Sequence, residues 1–191
     1  IGGGMVGLSL ANQLVERGIS NKVIILDKEK NLGMHSSGRN SGVLHAGIYY
    51  EPKTLKAKVS VEGARRLKEW VINRKLNINL CGKIIIPQRK ELDPQLDKLI
   101  YRGKCNGADV SLIDNKRLKE LIPFLKSKSG RAIWSPNTCV VNPLEIINQL
   151  KLELEEKGVK ILTGAKVDKF ETENNCLVLF DSTKIKYKHL I

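Results

Sequence analysis

Apolar residues recur along this 191-residue chain in two rhythms. Leu8, Ala11, Leu14 and Val15 follow three- and four-residue spacing, which places them on one face of a helix, and Gly18 suits its C-terminal end. "KVIILD" has no such gaps: Val23 to Leu26 are continuously apolar, the pattern of a parallel strand buried on both faces. Helical spacing returns over "TLKAKVSVEGARRLKEWVINRKL", with Leu55, Val59, Ala64, Leu67 and Val71 near one face. "INLCGKIIIPQ" reads as a strand closed by Pro87, "ELDPQLDKLIYRGKCNGA" as a helix with Pro94 near its start, and "VSLI" as a strand. "DNKRLKELIPFL" reads as a short helix with Asp114 as its N-cap, and "RAIWSPNTCVVNP" as strands around a turn. "PLEIINQLKLELEEKG" is an amphipathic helix between Pro143 and Gly158, and "VKILTGAKVDKFE" and "CLVLFD…IKYKHLI" supply short strands.

The order of these elements specifies an α/β fold of Rossmann-like type, built on a parallel sheet. Gly2, Gly4 and Gly7 in "IGGGMVG" fit G-x-G-x-x-G at the opening of the first helix, and Asp27 closes the strand that follows. Alone the glycines are weak evidence. Followed by an amphipathic helix, an apolar strand and a terminal acid, they specify a dinucleotide site. Glycines let the backbone approach a pyrophosphate, whose charge meets the unpaired N–H groups of the helix N-terminus, while the acid accepts from ribose hydroxyls. The bland alternative is an ordinary βαβ unit without a ligand. The chain then divides into a dinucleotide-binding domain over 1–77, a mixed α/β substrate-domain segment over 78–142, and the dinucleotide-binding domain resumed over 143–191. A single Ile before the glycines and an apolar run at the far end suggest an incomplete chain, the N-terminal part of a longer protein. Ligands of such architectures are expected at the junction.

The segment "HSSGRNSGVLHAGIYY", from His35 to Tyr50, begins shortly after that strand. Ser36, Ser37, Arg39, Asn40 and Ser41 supply hydroxyl, guanidinium and amide groups suited to a pyrophosphate and a polyol. A flavin dinucleotide carries a ribityl chain where a nicotinamide dinucleotide carries a second ribose, so this long polar segment favours FAD over NAD. A structural Ser/Gly turn is the alternative. His35 suits either the diphosphate or a solvent-facing loop. Of Tyr49 and Tyr50, at alternating positions, one suits the core and the other a substrate.

Composition narrows the function. The net charge is +13, from 33 Lys+Arg against 20 Asp+Glu. The lysines are dispersed, no basic run is interleaved with aromatics, and aromatics make up 5% of residues, so solvated faces explain the charge and no nucleic-acid partner is expected. The positive field also suits an anionic substrate. Cys81, Cys105, Cys139 and Cys176 lie far apart with no C-x-x-C, which argues against zinc and a disulfide framework and implies a reducing compartment. Cys81 is expected to be a small buried apolar group. No metal site is expected, and no apolar run reaches the length of a membrane span.

"IGGGMVGLSLANQLVERG…VIILDKE" resembles the FAD-dependent oxidoreductases of the D-amino-acid-oxidase and glycerol-3-phosphate-dehydrogenase type. "HSSGRNSGVLHAGIYYEPKTLKAKVSVEGARRL", with "CGKIII" after it, resembles the L-2-hydroxyglutarate dehydrogenase/oxidase family in particular. The resemblance implies FAD as cofactor and oxidation of a 2-hydroxy acid, L-2-hydroxyglutarate first, to the 2-oxo acid by hydride transfer to flavin N5. It places Gly2, Gly4 and Gly7 on the diphosphate, Asp27 and Lys28 at the adenosine end, and Ser36, Ser37, Arg39, Asn40 and Ser41 along the diphosphate and ribityl chain. His45 and Gly47 fall beside the isoalloxazine and Val167 beside the adenine. His45 is the expected general base. Asp27 departs from the family, which more often has Glu there. The electron acceptor implied is oxygen, a quinone or an electron-transfer protein. The expected location is cytoplasmic, with room for peripheral association with the inner membrane. Two alternatives stand beside this: an amine or amino-acid oxidase of the same fold, and a dinucleotide-fold binding module without catalysis.

Overall fold

The computed structural model describes residues 1–191. In chain order its first elements are α1 (Met5–Glu16), β1 (Ile24–Leu26), β2 (Val43–Leu44), α2 (Leu55–Asn73), β3 (Ile78–Asn79), β4 (Lys83–Ile85) and α3 (Pro94–Cys105). There follow β5 (Ser111–Asp114), α4 (Asn115–Leu121), β6 (Arg131–Ser135), β7 (Cys139–Val141), α5 (Pro143–Glu156), β8 (Lys160–Leu162), β9 (Val167–Glu171), β10 (Cys176–Leu179) and β11 (Lys184–Lys186). The helices begin where the sequence supplies caps. Thr54 accepts from the Ala57 N–H at 3.2 Å, Asp114 from the Arg117 N–H at 2.8 Å, and Asn142 from the Leu144 N–H at 3.1 Å. Each such cap is worth about 1 kcal/mol.

The chain forms two compact units, residues 1–40 with 142–191, and residues 41–141. The first unit contains the parallel pair β1·β8, in register from Ile24 with Lys160 to Leu26 with Leu162, and the antiparallel sheet β11-β10-β9. The expected parallel sheet is therefore two strands wide, with Gly2 donating its N–H to the Leu26 carbonyl beside it at 2.7 Å. Helices α1 and α5 pack on one another, and Leu8, Ile147 and Leu154 are fully buried. Full burial of one such side chain is worth about 1.5–3 kcal/mol. Lys157 adds a tie between the two helices, donating to Asn12 at 2.8 Å and Glu16 at 3.0 Å.

The second unit holds two three-stranded antiparallel sheets, β2-β7-β3 and β4-β6-β5. Its core gathers Ile48, Leu96, Val110 and Ile133, with Ala46, Ile85, Leu99 and Ile100 against them. The first break between units falls after Asn40, well before the 77/78 boundary expected from the sequence. The reason is pairing: β2 joins β7, and Ile48 enters the core of the inserted segment.

Four local readings change. The stretch 78–88 is not one strand: β3 pairs with β7, β4 pairs with β6, and the chain bends between them at Gly82, whose φ of +68° and close approach to the Trp134 ring admit no side chain. Cys81, in that bend, is exposed instead of buried. Helix α4 stops at Leu121, because Pro123 disfavours helical backbone in the residue before it. On α2 the buried positions are Ala57 and Val71, whereas Leu55 and Val59 are 74% and 56% exposed.

Candidate functional site

The glycine turn, α1 and the end of β1 form one connected structure in the first unit. A Cβ on Gly7 would collide with the Gly2 carbonyl oxygen, so the turn and the helix approach as closely as only glycine permits. Gly4 is the N-cap of α1 and offers no side-chain cap, and no acidic residue stands in the first turn. The first-turn N–H groups and the helix dipole therefore favour an anion. One of these donors, the Met5 N–H, is taken by Ser37 Oγ at 3.0 Å, which ties the polar loop to the helix N-terminus.

Asp27 is half-buried and fixed from both sides: Oδ2 accepts from the Gly3 N–H at 2.7 Å and Oδ1 from the Glu29 N–H at 2.8 Å. A carboxylate has about four lone-pair positions, so acceptor capacity remains for ribose hydroxyls. The backbone after Asp27 is held by Gly164, donating to the Glu29 carbonyl at 2.7 Å, and by Ala165, donating to the Asp27 carbonyl at 2.8 Å. Val167 follows directly, its side chain packed in the cluster around Leu26, Leu177 and Leu179. Lys28 lies 3.8 Å from Glu29, which also pairs with His35 at 2.8 Å, so His35 faces an acid in an exposed loop.

The remaining loop residues divide by role. Asn40 Nδ2 donates to the carbonyls of Ser36 and Ser37 at 3.0 and 2.9 Å, holding the turn in shape. Ser36 and Arg39 are exposed, and the Arg39 guanidinium has no partner within the chain. Ser41 opens the second unit and is also exposed.

In the second unit the segment 45–51 is pinned by α3. Asn106 Nδ2 donates to the carbonyls of Gly47 and Tyr50 at 2.8 and 2.9 Å. Arg102 donates to the Tyr49 carbonyl at 3.3 Å and pairs with Glu51. The His45 and Tyr49 rings meet edge to face with centroids 5.9 Å apart. Lys83 Nζ lies 4.7 Å from the Tyr49 ring centre, and Lys56 Nζ 4.8 Å from that of Tyr50. Burial, and after it the Lys83 charge, hold the His45 pKa below its ordinary 6.5, so the imidazole is neutral at pH 7. Asn106, Arg102 and Lys83 carry no signal in a motif. Only the alternation of "KIII", which gives Lys83 the parity of the partly buried Ile85, could have pointed to one of them.

The family model described as FAD dependent oxidoreductase (DAO) matches residues 1–189. The chain belongs to that family. Among its relatives are proteins named L-2-hydroxyglutarate dehydrogenase, mitochondrial: from Caenorhabditis briggsae at 39% identity over 90% of this chain and 39% of the relative; from Homo sapiens at 36%, over 90% and 37%; and from Dictyostelium discoideum at 32%, over 94% and 42%. The chain thus spans about two fifths of the length of the curated relatives it matches. In fold it is similar to L-alpha-glycerophosphate oxidase from Mycoplasma pneumoniae with FAD bound, at TM-score 0.78 and 21% identity, covering 94% of this chain and 47% of that one. It is also similar to L-proline dehydrogenase from P. horikoshii, at TM-score 0.79 and 23% identity, covering 97% and 49%.

A member of this family is expected to offer a cradle for FAD, and the residues of the first unit fit one. The N-terminus of α1, engaged by Ser37 only at the Met5 N–H, the glycine contact that a Cβ would block, the fixed carboxylate of Asp27 and the unpaired Arg39 are the donor and acceptor set a diphosphate and ribose require. The expectation of a cytoplasmic location is corrected: the curated relatives are named mitochondrial. No helix of the chain is long and apolar enough to cross a membrane.

Proposed function

We propose that the full-length protein oxidises L-2-hydroxyglutarate to the 2-oxo acid. The observation that carries this reading is similarity at 32–39% identity, along nine tenths of the chain or more, to proteins named for that activity. Solved structures that act on amino acids share the fold at identities under 25%, which speaks to architecture and not to substrate.

Oxidation removes the hydrogen on C2 with its electron pair and the hydroxyl proton, leaving a carbonyl. Bound FAD supplies the two-electron acceptor. In the first unit, Gly2, Gly4, Gly7 and Arg39 would hold its diphosphate, Asp27 its ribose, and Lys28, Ser36, Ser37, Asn40 and Val167 would line the same cofactor. His45 takes the hydroxyl proton. Its depressed pKa keeps it unprotonated at neutral pH, the state a base needs. Asn106 and Arg102 hold the backbone around Gly47 and Tyr49, so the base and the Tyr49 and Tyr50 rings that face substrate are placed before substrate arrives. Oxygen, a quinone or an electron-transfer protein then receives the electrons.

The test is dye-linked turnover of the full-length protein with the product identified. Formation of 2-oxoglutarate from L-2-hydroxyglutarate supports the reading. A yellow protein that instead oxidises glycine or proline is an amino-acid oxidase, and a colourless, inert one is a binding module.

A further inference from the structure

Strand β4 carries a lysine where a hydrophobic residue is expected. Lys83 and Ile85 lie two apart on one strand and so on one face of the sheet. Their partners across the ladder are Ser135 and Ile133, both wholly buried, and Ile133 with Ile85 belongs to the apolar core of the unit. Lys83 therefore projects from the core-facing side at the point where that core ends, and it is only half exposed. Several arginines of the unit meet acids: Arg102 meets Glu51, Arg131 meets Asp93 and Asp97, and Arg65 meets Glu62 and Glu69. Lys83 meets none. Its ammonium stands over the Tyr49 ring, beside a neutral His45. A half-buried ammonium held over an aromatic face with no acid beside it has its charge open to an anionic ligand.

We propose that Lys83 binds a carboxylate of the substrate, with the Tyr49 ring and the His45 imidazole forming the walls of the same anion site. The assignment rests on the reading of the substrate as a hydroxy dicarboxylate and adds the residue that recognises it. The ammonium gives a charge-assisted hydrogen bond to the carboxylate, and the neighbouring imidazole, being neutral, remains free to accept the proton of a hydroxyl on the adjacent carbon. The Lys83 charge thus serves twice: it captures the acid and keeps His45 in its basic form.

The experiment measures binding, not turnover. Glutarate, which has both carboxylates but no hydroxyl to oxidise, is titrated calorimetrically into the full-length FAD-loaded protein and into Lys83→Met, with flavin content measured in both. Lys83→Met is expected to weaken glutarate by roughly tenfold to a hundredfold, the worth of a hydrogen bond to a charged group. Lys83→Arg is expected to retain most of the affinity, and Lys83→Gln replaces the Met variant if that one does not fold. Unchanged affinity in a flavin-replete Lys83→Met or Lys83→Gln protein overturns the assignment. If the wild-type protein ignores glutarate but binds proline or glycine, the dicarboxylate reading fails by itself. The same variants titrated with that amino acid then decide Lys83, since its carboxylate is the group in question: weakening supports the assignment and equal affinity ends it.

Discussion

Alanine at Gly7 sets a methyl group against the carbonyl oxygen of Gly2. Neither side can turn away, because Gly2 is held to the Leu26 carbonyl at 2.7 Å and Gly7 lies in the first turn of α1. The turn and the helix must part, and overpacking of this kind costs about 1–3 kcal/mol. The free protein relieves that strain by relaxing. Binding the diphosphate requires the original geometry again, so the cost reappears as lost FAD affinity of roughly five- to 150-fold. Alanine at Gly4 is the graded comparison. Its methyl meets Ser37 Oγ at 2.9 Å, a side-chain atom that can rotate at the expense of the bond it accepts from Met5. That loss is about 1 kcal/mol for a helix cap, or about fivefold in affinity. A bulkier valine at Gly4 is expected to leave the purified protein colourless. Apo-protein prepared from each full-length variant is titrated with FAD and followed by quenching of flavin fluorescence. The reasoning is refuted if Gly7→Ala binds like wild type, or if Gly4→Ala is the weaker of the two alanine variants.

Asn106→Ala removes two bonds to the 47–50 backbone and is expected to lower stability by about 1–3 kcal/mol, read from denaturant unfolding; an unchanged midpoint contradicts it. His45→Ala is expected to slow anaerobic flavin reduction by about a hundredfold or more with FAD retained, and simple loss of flavin returns His45 to a structural role. Because folding lowers the His45 pKa, its contribution to stability is complete above pH 6.5 and is lost as pH falls through the depressed value; the base-dependent rate holds level until pH reaches that depressed value and falls below it. In Lys83→Met that acid limb moves to higher pH, as nuclear magnetic resonance titration of the His45 ring can show. Cys81 and Cys105 are exposed and are expected to react with a thiol reagent in the native protein, whereas Cys139 and Cys176, buried, wait for unfolding.

What the sequence made legible is what is local in it. Gly2, Gly7 and Asp27 are separated by one helix and one strand, and their meeting follows from that geometry alone. Features set by distant partners were not legible. The break at Gly82 exists because Trp134 packs on it, and the exposure of Cys81 follows from the break. The 45–51 segment is shaped by Asn106 and Arg102, more than fifty positions along the chain. Leu55 and Val59 keep helical spacing yet stay exposed, because periodicity names a face and not what covers it.

The central claim concerns one hydroxy acid, and anaerobic flavin reduction in the full-length, FAD-loaded protein tests it most directly. Rates are compared for L-2-hydroxyglutarate, its D-enantiomer, L-lactate, proline and glycine. The account predicts bleaching of the flavin by L-2-hydroxyglutarate far faster than by any of the others. Fastest reduction by an amino acid, or no preference between the two enantiomers, would contradict it.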